Sequence, residues 1–407
     1  MEFGVSDPLG LGLRERAGLV EFPLHHMRGG TSTGLVLWER LMPSDQALRE
    51  ELLRHLMGVP LHGDAPGNRQ TTGLGRGPAT SNKVFLADIE TGDGAPRIVS
   101  TLAQLAAGHA AIDWSVNCGN MSSALQLWAL DTGLLPTGEG RLEVDIHNTN
   151  TGVRTTSRMV REASGRFVDA HIPGVDGAFP AVDLFLHDPI GAKTGRLLPT
   201  GVACEVIDGH EVSCVDVAVP MVILEAASVG RTGDEPIAEL AGDALLMETL
   251  RRIWVEAGLR MQLKRRDGTP MSADELARSE TIPKVCLVAP PRHGGAIGAR
   301  YFTPQTGHAS MAVSGGCCLA AAALVPGSVA QRMARGLPAV GAEEREIAVS
   351  IEHPAGVLEA TVVARMRPTG LAISSAAYRR STQILVRGHM PLYRASPELR
   401  SALRDIG

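Results

Sequence analysis

Apolar and polar positions change their period several times along the chain, and each change marks an element. Positions 22–38 read as a strand, a glycine turn and a second strand. From 41 to 61 the apolar residues Leu48, Leu52, Leu56 and Met57 recur at helical spacing, with Ser44 as the candidate N-cap. Positions 62–81 form a long polar loop rich in glycine, and 82–89 then alternate as a strand does. Further short strands are expected at 142–148, 157–160 and 165–172. Alternation broken by turns at this spacing predicts a mostly antiparallel sheet and not βαβ repeats.

Two stretches differ from the rest. One spans 116–130 and ends at Gly133; the other spans 313–324 and ends at Pro326. Each is apolar nearly all round, so each predicts a helix buried on every side. Laid over each other, Cys118 falls on Ser314, Gly119 on Gly315 and Asn120 on Gly316. The overlay suggests an internal duplication, two β-rich domains each wrapping one buried helix. The alternative is two unrelated core helices in a chain rich in glycine and alanine.

Length supports two domains, since 407 residues exceed one ordinary compact unit. With 44% apolar and 20% charged residues, a sizeable core is available, and global disorder and coiled-coil rods are excluded. A net charge of −5 offers no basic excess for nucleic acid. The richest apolar run, 317–325, stops at Pro326, too short for a membrane span. Positions 1–21 lack the apolar stretch of a secretory signal. The six cysteines are scattered, with no metal-ligand spacing, so no metal and no disulfide framework are expected. A reducing cytoplasm is the expected location, with every cysteine but Cys118 a buried small hydrophobe.

Candidate chemistry collects at a few positions. Met27-Arg28-Gly29-Gly30-Thr31-Ser32-Thr33-Gly34 lies between two strands, where successive N–H groups and hydroxyls can form a nest for a carboxylate. It lacks the Walker A pattern, and the glycines at 73–77 lack dinucleotide spacing, so taken alone both stretches are read first as plain turn chemistry. Of 39 basic residues only four are lysines, Lys83, Lys193, Lys264 and Lys284, which leaves 35 arginines. A desolvated lysine can lose its proton near neutrality and arginine cannot. Lys83, between the polar loop and a strand, is therefore a candidate general base. Lys193 and Lys264 read as surface charges and Lys284 as intermediate. Cys118 opens the first buried helix; the helix dipole favours its thiolate and burial opposes it. Gly119 and Asn120 offer first-turn N–H groups to a carboxylate or a developing enolate. A lysine and a thiol on opposite faces of an unsaturated acid would suit proton transfer at carbon.

Taken together these passages resemble the 2-methylaconitate cis-trans isomerase (PrpF) family, within the diaminopimelate-epimerase-like fold. The resemblance is carried by the Met27–Ser32 motif; by Arg69-Gln-Thr-Thr-Gly-Leu-Gly75 leading to Ser81-Asn82-Lys83; by Asn117-Cys118-Gly119-Asn120; by Leu197-Leu-Pro-Thr-Gly201; and by Ile282-Pro-Lys284 followed by 288–291. His308-Ala309-Ser310 and His353-Pro-Ala-Gly356 add to it. The likeness runs from about residue 22 to about 388. It departs from the common family pattern at Thr33, at Thr71-Thr72 and at Ser81-Asn82, all on candidate substrate-binding loops.

The resemblance implies an α+β fold of two pseudo-symmetric domains, each a mostly antiparallel, barrel-like sheet around a buried central helix, with the active site between them. The boundaries expected are 1–187, with 378–407 returning to it, and 188–377. It also implies that Lys83 and Cys118 are the proton-transfer pair. Ser314 stands where the epimerase has its second cysteine, so a two-thiol racemase is disfavoured and Cys317 and Cys318 read as core. The implied activity is a cofactor-independent 1,3-allylic proton shift on an unsaturated di- or tricarboxylate. Arg28, Gly29, Gly30, Thr31, Ser32, Arg69, Gly119, Asn120, His308, Ser310, Ser314 and Gly315 are the expected substrate contacts. The segment 211–216 and the stretch 308–310 favour 4-oxalomesaconate, with 2-methylaconitate and aconitate as runners-up. A non-catalytic carboxylate-binding accessory protein is the reading from another class. The expected partners are the small acid and, in a homodimer, a second copy of the chain, with no nucleic acid and no membrane.

Overall fold

A computed structural model describes residues 12–77, 81–91, 94–265 and 267–406. The segment 1–11, on which the reading of 1–21 as lacking a signal largely falls, and positions 78–80 of the polar loop lie outside the described residues. The chain divides into two compact units. The first holds the chain up to His171, Gly177–Leu184 and the chain from Arg380 onward; the second holds Ile172–Asp176 and Phe185–Arg379.

In the first unit, Leu19–Gly29 and Ser32–Trp38 form an antiparallel hairpin. Its turn is made possible by Gly30, whose φ of 54° lies in the left-handed region. Ser32–Trp38 then runs parallel to Lys83–Glu90, with the helix Gln46–Met57 in the connection. That helix is shorter than 41–61. Its N-cap is Asp45, not Ser44, because the Asp45 carboxylate accepts the Leu48 N–H at 3.0 Å. Lys83–Glu90 pairs antiparallel with Arg97–Leu105, which runs parallel to Gly140–Asn148, itself antiparallel to Arg154–Arg161. Beyond these, only Asp169–His171 of the 165–172 stretch is a named strand. Lys83–Glu90 does not alternate in burial. Val84 and Leu86 pack with the helix residues Leu52, Leu53 and Leu56, while Phe85, Ala87 and Ile89 pack on the other side with Trp128.

The second unit repeats this order. His210–Val217 and Val219–Glu225 are antiparallel, and Val219–Glu225 runs parallel to Lys284–Ala289. The connection carries the helices Ile237–Gly242, Ala244–Arg260 and Ala273–Arg278. Lys284–Ala289 is antiparallel to Ile297–Thr303, which is parallel to Arg345–His353, which is antiparallel to Gly356–Arg367. The order and sense of pairing are the same in both units, as a duplication requires. Most pairs are antiparallel. Each unit nevertheless contains two parallel pairs, and the first pair in each is joined through helix, a βαβ connection that the alternation gave no sign of.

Each unit also buries a helix on all sides, between the strands of its second parallel pair. In the second unit it is Val313–Ala322, with Gly315 through Ala322 buried. In the first, the expected single helix is two, Gly119–Ser122 and Leu125–Asp131. The break follows from two serines. Ser122 Oγ donates to the Cys118 carbonyl (3.0 Å) and Ser123 Oγ to the Asn120 carbonyl (2.6 Å), competing with the helix's own donors. The backbone there tightens to i→i+3 bonds, Ser123 N to Asn120 O and Ala124 N to Met121 O. Among the described residues no helix is long and apolar enough to cross a membrane.

Candidate active site

Lys83 is the first residue of its strand, and its odd-numbered face turns it toward the short helix that follows Cys118. Its Nζ lies 3.2 Å from Cys118 Sγ and 3.4 Å from Ser32 Oγ. Lys83 is 6% exposed, and Ser32 is buried at the start of the neighbouring strand. Cys118 is half-buried, and its N–H donates to the Asn117 side chain at 2.7 Å. A thiol and an amine in direct hydrogen-bond contact cannot lie on opposite faces of a carbon skeleton. Two reactive approaches of roughly 3–3.5 Å each would need about 6–7 Å between them. The 3.2 Å contact is about half of that, so the structure does not show the expected opposite-face arrangement.

The hairpin turn packs directly on the helix mouth. A Cβ placed on Gly29 would meet the Asn120 carbonyl oxygen at 2.4 Å and Met121 Cα at 2.9 Å, so only glycine lets the strand approach this closely. Asn120 joins two chain segments, its Nδ2 donating to Thr31 Oγ1 (3.2 Å) and its Oδ1 accepting from Arg380 Nε (2.9 Å). Gly119 is exposed at the head of the helix, where helix geometry leaves first-turn N–H groups without an i−4 partner. Arg28 is buried and spends Nη1 on the carbonyls of Gly30 (2.8 Å) and Ser381 (3.1 Å), with its guanidinium 4.6 Å from the Phe179 ring centre. Its first task is thus to hold the turn. Its Nη2 is buried without a partner, and burial lowers its pKa. Lys83, Arg28 and Arg380 are all buried around this turn. Lys83 and Arg28 bond there to neutral groups.

The polar loop is tied to the strand through a reciprocal amide pair. Gln70 Nε2 donates to Asn82 Oδ1 (2.9 Å), and Asn82 Nδ2 returns a bond to Gln70 Oε1 (3.2 Å). Asn82 precedes Lys83, so the pair fixes where the lysine emerges. Arg69, beside Gln70, is exposed and makes no hydrogen bond or ion pair among the described residues, so nothing joins it to Lys83 and Cys118.

The remaining expected contacts lie in the second unit. Ser310 N donates to His308 Nδ1 (3.0 Å), Ser310 Oγ lies 3.4 Å from His353 Nε2, and the His308 ring meets Tyr301 edge-on. Gly315 is buried against Tyr301, whose ring would lie 2.7 Å from an added Cβ, while Ser314 is half-buried. Counted from the helix caps, Cys118 corresponds to Ala312 and not to Ser314, a shift of two from the overlay. Neither position carries a thiol. Cys317 and Cys318 are fully buried, and burial pushes the Cys318 thiol far above its usual range. Cys204 departs from its expected burial: it is half-buried, 3.8 Å from the Arg332 guanidinium. Lys193 and Lys264 are exposed, as surface charges should be.

Arg380 was missed by the sequence reading. Its signal was slight: two adjacent arginines, Arg379 and Arg380, soon after a run of small and apolar residues at 370–377.

The family model described as PrpF protein matches residues 19–393. A 4-oxalomesaconate tautomerase of Pseudomonas putida is 34% identical over 342 residues, covering 83% of this chain and 88% of the relative. A (4E)-oxalomesaconate Delta-isomerase of Novosphingobium sp. is 32% identical over 369 residues, covering 89% and 95%. The crystal structure of a methylitaconate-delta-isomerase superposes with a TM-score of 0.76 at 27% identity, over 94% of this chain and 97% of that one. A match over nearly the whole length, with the same fold, places the chain among these enzymes: it is an isomerase and belongs to the PrpF family.

Proposed function

We propose that the chain catalyses a 1,3-allylic proton shift on an unsaturated di- or tricarboxylate, with 4-oxalomesaconate as the leading substrate. The observation that carries this reading is the 3.2 Å contact between Lys83 Nζ and Cys118 Sγ beside the Gly29–Ser32 turn. Lys83, entering as the free amine, takes a proton from the carbon next to the conjugated system. The electron pair spreads over the allyl unit and onto a carbonyl or carboxylate oxygen. First-turn N–H groups at Gly119 and Asn120 and the donors of the turn would hold that charge. The Cys118 thiol delivers a proton to the far carbon, leaving an ammonium and a thiolate. Their direct contact returns the proton from nitrogen to sulfur and resets the site.

Substrate and product are isomers, so the step is redox-neutral and closes its proton balance with these two side chains. Because both groups work from one face, the shift is suprafacial. The choice of 4-oxalomesaconate draws on the names of the two relatives above and on the 211–216 and 308–310 stretches. The buried cations Arg28 and Arg380 suit an acid with several carboxylates. A carboxylate-binding accessory protein would not need an amine and a thiol in contact, and any of the 35 arginines could serve it instead.

The test is proton NMR in D2O with 4-oxalomesaconate, 2-methylaconitate and cis-aconitate, using wild type, Lys83→Ala and Cys118→Ala. The expected result is isomerisation of one acid, with deuterium entering at an allylic carbon on the face from which hydrogen leaves. A folded Lys83→Ala variant at full rate would overturn the assignment of the base. Deuterium arriving on the opposite face would overturn the one-face mechanism.

A further inference from the structure

The repeat gives Lys83 a counterpart. Lys83 begins the strand that runs parallel to Ser32–Trp38, paired there with Gly34; Lys284 begins the strand that runs parallel to Val219–Glu225, paired there with Met221. Both lysines are followed by valine and an apolar run. Two residues before the paired position stand Ser32 in one unit and the buried Val219 in the other. At the helix cap stand Cys118 and Ala312. The second unit therefore keeps the lysine and replaces its hydroxyl and thiol neighbours with apolar residues.

Lys284 is half-buried and forms no hydrogen bond or ion pair among the described residues. Burial alone, with no nearby charge, lowers its pKa. Exposed positive charge in this chain is carried almost entirely by arginine, so a half-buried lysine without a counter-charge is not ordinary surface chemistry. A desolvated ammonium lacks a compensating anion, and a ligand carboxylate would supply one.

We propose that Lys284 is a carboxylate-binding residue of the second unit, forming an ion pair with one carboxylate of a small polycarboxylic acid. The choice of ligand class rests on the proposed function; the placement of the lysine rests on the repeat alone. Lacking a thiol at Ala312, this position binds and does not transfer a proton.

Having only four lysines makes each one separately readable. Acetylation by acetic anhydride can be followed at each lysine by mass spectrometry, with and without tricarballylate, a saturated tricarboxylate that cannot isomerise. Wild type and Lys83→Ala are compared. The expected result is that tens of millimolar acid slows acetylation of Lys284 at least about fivefold in both proteins. Lys193 and Lys264 should be unaffected. Lys284→Met should weaken tricarballylate binding about tenfold and Lys284→Arg should largely restore it. Unchanged acetylation of Lys284 in acid overturns the proposal. If Lys83 alone is protected, the proposed function stands and this inference fails; if Lys284 alone is protected, the reverse holds.

Discussion

Replacing Gly29 by alanine puts a methyl group 2.4 Å from the Asn120 carbonyl oxygen, 2.9 Å from Met121 Cα and 3.0 Å from Ser123 Oγ. Ordinary contact needs about 3.4 Å, so strand and helix must part by roughly 1 Å. The two nearest atoms are backbone and cannot swing aside as a flexible side chain could. The segment that must yield carries Cys118 one residue before the helix. A shift of about 1 Å in a reacting group costs on the order of 10²-fold in rate, close to 2.7 kcal/mol of barrier. The same overpacking should lower stability by about 1–3 kcal/mol. Gly388 is the control. It lies on the adjacent strand, paired with Leu24, and a Cβ there meets nothing within 4 Å. The assay is kcat/KM with 4-oxalomesaconate, alongside urea unfolding. Gly388→Ala should stay near wild type while Gly29→Ala falls about a hundredfold. A folded Gly29→Ala enzyme matching Gly388→Ala would refute the claim that this contact sets the place of Cys118.

Lys83→Ala and Cys118→Ala should each lower kcat by about 10²–10⁴-fold, the usual worth of a positioned acid or base, measured by NMR turnover. Arg380→Met frees Asn120 Oδ1 from a charged donor; a loss of about 1.5–3 kcal/mol in kcat/KM is expected, and an unchanged value would deny Asn120 a positioning role. His26 is buried with an unpartnered Nε2, and burial with the nearby Arg76 charge pushes its pKa down to about 4. The unfolded chain binds that proton near pH 6.5, so the stability owed to neutral His26 is full above pH 6.5. It should fall by roughly 3 kcal/mol as pH drops from 6.5 to about 4. Urea titrations of wild type and His26→Gln across that window should differ in slope, and parallel curves would contradict the assignment.

The contact between Lys83 and Cys118, proposed above as the proton-transfer pair, joins two residues that stand out in the sequence because lysine is rare here and because Cys118 opens a helix of small, apolar residues. The repeat was legible for a related reason: a helix buried all round has no polar face, and two such helices stand out in a chain of amphipathic elements. What stayed hidden depends on pairing. The parallel register of Gly34 with Lys83 leaves no mark in local alternation, since Lys83–Glu90 is covered on both faces. The break at Ser123 and the choice of Asp45 over Ser44 turn on single side-chain hydrogen bonds, which composition does not rank. Arg69 and Arg28 were grouped as equal carboxylate contacts. Only the fold separates an exposed arginine from one buried against the turn's own carbonyls.

The strand Gly370–Pro391 belongs to the second unit in its first half and to the first unit in its second. From Thr382 to Pro391 it pairs with Leu19–Gly29, and the helix Pro397–Ile406 adds Leu399 and Leu403 to that unit's core. Synthesis on a ribosome therefore delivers the strand Leu19–Gly29 long before this hydrogen-bonding partner. The second unit, whose chain is complete by Arg379, can close first, against the usual order in which the N-terminal domain folds first. Until the last residues emerge, Leu19–Gly29 waits with one edge unpaired, which makes the nascent chain the state most exposed to wrong strand pairing.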